Sequence, residues 1–145
     1  MRPYVIRPPR GEPLPVVVSI PHTGTAVPPE VASRFASKDI AALPMTDWHL
    51  HRLYDFLPDM GITTLFATWS RFVVDLNRSP DSRSLYPGRF ETGLVPTETF
   101  DREAVFSIPP DADEVEQLRR SYHQPYHDRL AALLAITRGR FGRAI

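Results

Sequence analysis

Apolar residues along this chain fall into short blocks separated by proline, glycine and small polar residues. The first block, Val16-Val17-Val18-Ser19-Ile20, follows Pro15 and stops at Pro21-His22-Thr23-Gly24. It does not alternate, which predicts a strand over 15–20 buried on both faces, as in a parallel sheet. Residues 1–14 read as an irregular lead-in. A weakly helical stretch over 30–43 ends at Pro44. Thr46 then suits a helix N-cap, Asp47 the first turn and Gly61 the C-terminus, with Leu50, Leu53, Tyr54 and Leu57 as the apolar stripe. In such a helix Asp47 and His51 share a face.

Two more strands are predicted, Ile62–Ala67 and Arg71–Leu76. In the second, Arg71, Val73, Asp75 and Asn77 alternate onto one face, with Phe72 and Val74 on the other. Residues 78–100, rich in Ser, Pro, Gly and Thr, read as a long loop, and 105–108 as a short strand. A long helix starts at Asp111 or Asp113 and carries Val115, Leu118, Tyr122, Leu130, Leu133 and Leu134. Pro125 should kink it, and Gly139 and Gly142 end it. Arg143-Ala144-Ile145 reads as the entry to another strand, so the expectation is a single α/β domain over 1–145, truncated at its C-terminus.

Composition narrows the function. A chain of 145 residues, 42% hydrophobic and 23% charged, has the make-up of one soluble globular domain with a real core. Its 17 basic and 17 acidic residues cancel, which offers no support for nucleic-acid binding or for an anionic membrane. No run approaches transmembrane length and Met1-Arg2-Pro3-Tyr4 leads into no signal-peptide core, so a cytoplasmic address is expected. Cysteine is absent, so any metal must be held by histidine and carboxylate.

Four clusters can carry chemistry. His22 lies just past a predicted strand end, where open α/β folds bind ligands; its ordinary alternative is a loop histidine bonded to backbone. Asp47 and His51 can ligate a metal together, or serve as a first-turn carboxylate and a packing residue. In Arg71-Phe72-Val73-Val74-Asp75-Leu76-Asn77-Arg78, the charged face is costly to bury unless it pairs or lines a polar site. Two arginines offer forks for substrate carboxylates, and Asp75 can hold one of them in place. In Tyr122-His123-Gln124-Pro125-Tyr126-His127, His123 reads first as a packing residue. Either Tyr126 or His127 is a candidate for the rim of a site, and His127 for a catalytic role.

Taken in order, Ser19-Ile20-Pro21-His22-Thr23-Gly24, Thr46-Asp47, Ser70 through Arg78, and Pro125-Tyr126-His127 resemble the N-formylglutamate amidohydrolase family. The resemblance implies a three-layer α/β/α sandwich around a mixed sheet, phosphorylase/hydrolase-like, as in zinc carboxypeptidases and aspartoacylases. It implies a divalent metal, zinc, held by His22 and by Asp47, with His51 as the lesser alternative; the glutamate usual three residues after the histidine is replaced here by Thr25. The third ligand and the general base would come from a segment beyond Ile145. Arg71, Asp75, Asn77 and Arg78 would bind the carboxylates of an N-acylated acidic amino acid. The implied reaction is hydrolysis of N-formylglutamate to formate and glutamate, as in histidine degradation, on a small-molecule substrate. The alternatives are a non-catalytic carboxylate-binding module, an inactive fragment, or a structural domain in which Arg71 and Asp75 form an internal salt bridge.

Overall fold

The segment Thr63–Ala67 is the centre of the sheet because a strand pairs along each of its edges. The computed structural model describes residues 1–81, 88 and 91–145. In it three strands, β1 (Tyr4–Arg7), β2 (Val17–Ile20) and β3 (Thr63–Ala67), are ordered β1-β3-β2. β2 runs parallel to β3, and β1 runs antiparallel to it with Tyr4 opposite Ala67. The parallel pairing predicted for the first apolar block is present, whereas the expected irregular lead-in contains β1. Four residues between Met1-Arg2-Pro3 and Pro8-Pro9 are too few to show a period, and β1 forms because β3 offers it a ladder. On the outer side of β2, Ile145 N–H donates to Pro15 O and Val17 N–H donates to Ile145 O, so residue 145 lies alongside the sheet.

Helices pack beside this sheet. The stretch 30–43 holds two single turns, α1 (Pro29–Ala32) and α2 (Lys38–Ala41). The expected helix from Thr46 to Gly61 shrinks to one turn, α3 (Leu50–Leu53), and a 3-10 turn, Leu57–Met60. Its cause is tertiary: Asp47 N–H bonds His22 O, and His49 takes a left-handed φ of 63°, so helical geometry starts only at Leu50. Gly61 does close this segment, with φ 83°.

Arg71–Leu76 is a turn, not a strand, and all six residues are buried. Phe72 and Val73 enter one apolar cluster with Val31, Ile40 and Val105; Val74 and Leu76 enter the other with Leu65, Leu94 and Tyr126. A segment squeezed between two clusters has no solvent face, so the expected alternation fails. Residues 105–108 hold one isolated bridge, Phe35 with Phe106, and no strand. The parts of the expected 78–100 loop at 82–87 and 89–90 lie outside the described residues.

The C-terminal helical region begins with a capping box. Asp111 accepts from Glu114 N–H and Glu114 accepts from Asp111 N–H, each at 2.9 Å, which selects Asp111 over Asp113 as the start. α4 (Ala112–Leu118) passes through a π-helical turn, Arg119–His123, into α5 (Gln124–Phe141). The disturbance expected from Pro125 falls in this wide turn, where Gln124 N–H bonds Arg119 O. Gly142 caps α5 with φ 73°, while Gly139 lies inside it. Among the described residues no helix is long and apolar enough to cross a membrane.

Candidate functional site

His22 follows the carboxyl end of β2, on a turn pressed against the chain leaving β3. A Cβ on Gly24 would sit 2.2 Å from Trp69 O, so only glycine allows this approach. Ala26 N–H bonds Thr68 O and Ser70 N–H bonds Ala26 O, continuing the parallel pairing past the strands. The His22 turn and the Arg71–Arg78 segment are thereby fixed relative to each other.

Asp75 is the hub. It is 0% exposed. One carboxylate oxygen accepts from His22 Nε2 at 2.7 Å and from Asn77 N–H at 2.9 Å; the other accepts from Arg71 Nη2 at 2.6 Å. Burial pushes the Asp75 carboxyl up, but the hydrogen bond with His22 and the Arg71 charge outweigh it and hold its pKa well below the ordinary carboxylate range. An ionised carboxylate only accepts, so His22 carries a proton on Nε2 and, in the neutral ring, keeps its lone pair on Nδ1.

That Nδ1 faces Asp47 Oδ2 at 3.6 Å, too far for a hydrogen bond. Two ligands about 2.1 Å from one tetrahedral zinc lie about 3.4 Å apart, so this imidazole nitrogen and carboxylate oxygen fit two coordination positions. The carboxylate behind Nε2 is the kind of outer partner that fixes a metal-bound histidine. Among the described residues no third His, Cys, Asp or Glu joins them.

Asp47 and Arg71 line one cavity of about 270 Å³ with Met45, Thr46 and Phe100. Arg71 is 6% exposed, and its Nη1 donates to Met45 O at 3.4 Å. Its Nε–H has no protein partner among the described residues, and its guanidinium lies 5.4 Å from the centre of the Phe100 ring. Asp75 pairs with Arg71 in a buried salt bridge and with His22, while Asp47 faces His22 and shares the cavity with Arg71. Asn77 is exposed; Arg78 is half-buried, with Nε donating to Thr92 O at 2.9 Å.

His51 is elsewhere. Its carbonyl accepts from Arg7, and it borders a separate cavity of about 410 Å³ with Val5, Trp48 and Thr23. Without the long helix, the shared face expected for Asp47 and His51 does not form. Tyr126 is fully buried, its hydroxyl 2.8 Å from Ser19 Oγ, so it belongs to the core rather than to a rim; burial pushes its pKa up to about 12. His127 Nε2 bonds Leu76 O at 2.9 Å. Phe100, Met45 and Thr92 had no signal in the sequence, because each joins the site only through loop packing.

A small mixed sheet with flanking helices and a histidine–carboxylate pair past a strand end define a protein of the α/β class. The chain belongs to the N-formylglutamate amidohydrolase family, whose profile matches residues 14–145. It is 39% identical over 134 residues to an N-formylglutamate deformylase of Pseudomonas aeruginosa, covering 91% of this chain and 50% of that protein. Against the N-formylglutamate deformylase of Pseudomonas putida the identity is 37% over 134 residues, covering 91% and 49%. The crystal structure of N-formylglutamate amidohydrolase from Ralstonia eutropha JMP134 superposes with a TM-score of 0.82 at 27% identity, over 99% of this chain and 55% of that one. The chain thus spans about half the length of the curated relatives it matches.

Proposed function

We propose that these residues form the metal-binding and carboxylate-binding half of an enzyme that hydrolyses the amide of an N-acylated acidic amino acid, N-formylglutamate, to formate and glutamate. The observation that supports this reading most is Asp75, which joins the candidate metal ligand His22 to the candidate substrate arginine Arg71 through one buried carboxylate. His22 Nδ1 and the Asp47 carboxylate would hold a divalent ion, zinc, which when bound supplies a Lewis acid and an activated water. In this reading the fold is a three-layer α/β/α sandwich, and the described residues leave the further metal donors and the general base unassigned.

The chain's own residues then have separate tasks. Asp75 fixes the His22 tautomer and anchors Arg71. Arg71, with its spare Nε–H, and Arg78 with Asn77 receive the substrate's two carboxylates, turning binding energy into alignment of the amide. Phe100 covers one side of Arg71 and keeps water from it. The place assigned to the reaction is the cytoplasm, in histidine degradation.

The experiment is formate release from N-formylglutamate by the protein carrying these residues, metal-free and zinc-loaded, with His22→Ala as control. Zinc-dependent release that disappears in the variant supports the proposal. Formate release of equal rate with and without metal, or none from a folded, zinc-loaded protein, overturns it. In the second case, retained binding of glutarate would favour a carboxylate-binding module.

A further inference from the structure

The turn that carries Asn77 and Arg78 is gripped from behind by two stacked histidines. His123, at the end of the π-helical turn, and His127, in the first turn of α5, have ring centres 4.2 Å apart and planes tilted by 34°. His123 Nε2 lies 2.9 Å from Arg78 O, and His127 Nε2 lies 2.9 Å from Leu76 O. A carbonyl only accepts, so each ring carries its proton on Nε2 and donates it. The two bonds take hold of the main chain on both sides of Asn77.

Packing alone does not call for this. His123 is 3% exposed, and burying an imidazole costs free energy that a leucine would not. Burial lowers its pKa from the ordinary histidine value, the bond to Arg78 O opposing that shift, which favours a neutral ring that can stack closely on His127. The wide turn at Arg119–His123 inserts an extra residue between two helices whose apolar faces serve both clusters. Leu118 reaches one cluster, Tyr126 and Leu133 sit in the other, and Val115 and Tyr122 pack against both.

The segment being held has no ladder of its own. Asp75–Arg78 lies in no strand, and its other main-chain ties among the described residues are Asp75 N–H to Leu94 O, Arg78 N–H to Asp75 O, Asn77 N–H to the Asp75 carboxylate, and Arg78 Nη1 to Asn77 O. Among the described residues the carbonyls on either side of Asn77, those of Leu76 and Arg78, are held by the two histidines alone. We propose that His123 and His127 are a positioning pair, whose Nε2–H groups set the peptide planes around Asn77 and so aim Asn77 and Arg78 at a substrate carboxylate. This rests on the reading that Asn77 and Arg78 bind that carboxylate, and it assigns His127 to positioning rather than to proton transfer.

The test uses the full chain and glutarate as a dicarboxylate probe. Long-range ¹H–¹⁵N spectra should show both histidines as Nε2–H tautomers with slowly exchanging protons. His127→Leu should weaken glutarate binding about tenfold or more, as expected when a binding group is misaimed. His127→Gln, which keeps a donor near the Nε2 position, should recover most of it. Leu133→Ala, which loosens the same helix from the core without touching the turn, should bind within about twofold of wild type. Wild-type affinity in a folded His127→Leu, or an Nδ1–H tautomer at either histidine in the wild type, overturns the positioning pair. Failure of the wild type to bind glutarate removes the carboxylate reading itself, and the pair's role with it. The tautomer spectra keep the proposal falsifiable should His127→Leu not fold.

Discussion

Replacing Asp75 by asparagine keeps the outline of the side chain and changes one end from acceptor to donor. In the wild type one oxygen serves His22 and Asn77 N–H, at 2.7 and 2.9 Å, and the other serves Arg71 at 2.6 Å. If the amide oxygen stays with His22, the NH₂ group meets Arg71 donor to donor, leaving a guanidinium that is 6% exposed without its counter-charge. If the amide turns over, Arg71 keeps an acceptor but still loses the charge. His22 must then accept on Nε2 and carry its proton on Nδ1, the atom facing Asp47. Removing one member of a buried ion pair costs about 3–5 kcal/mol. Losing the carboxylate behind a ligating histidine typically costs about 10–100-fold in metal affinity. Urea unfolding of wild type and Asp75→Asn measures the first, and calorimetric zinc titration measures the second. A stability loss under about 1 kcal/mol together with unchanged zinc affinity would refute the hub role of Asp75.

Other outcomes are expected from the same geometry. The folded pKa of Asp75 is depressed, so its contribution to stability is complete above the ordinary aspartate value and declines as pH falls below about 4 toward the folded value. The urea midpoint followed across that range should drop more steeply in wild type than in Asp75→Asn. Tyr126→Phe removes a buried hydroxyl that pairs with Ser19 Oγ and donates to Leu65 O, and should cost about 0.5–1.5 kcal/mol in thermal melts. Gly24→Ala places a methyl 2.2 Å from Trp69 O, and should cost about 1–3 kcal/mol while lowering zinc affinity through displacement of His22; a variant as stable and as metal-avid as wild type would contradict the close approach.

What the sequence conveyed depended on whether a signal was local. Ile62–Ala67 reads as a strand, and β3 forms there with Thr64, Leu65 and Phe66 paired on both sides. The helix start at Asp111 is legible because a capping box is closed within four residues. The helix expected over 46–61 fails where Asp47 N–H reaches across the chain to His22 O, a contact no window on the sequence contains. The alternation of Arg71 to Asn77 looked like a strand face, yet Phe72 and Val74 go to different clusters. The structure nonetheless brings His22, Asp47, Arg71 and Asp75 near one another, since charged and imidazole groups beside apolar runs must find partners when buried. Phe100 gives no signal in the sequence, since its tie to the site is a ring laid over Arg71.

The most direct measurement is anomalous diffraction at the zinc edge from zinc-soaked crystals, with the Nε2 proton of His22 located in parallel by ¹⁵N spectroscopy. The account expects one zinc peak bonded to His22 Nδ1 and Asp47, with Nε2–H still directed at Asp75. A zinc peak elsewhere, or His22 binding metal through Nε2 with Asp75 released, would contradict it.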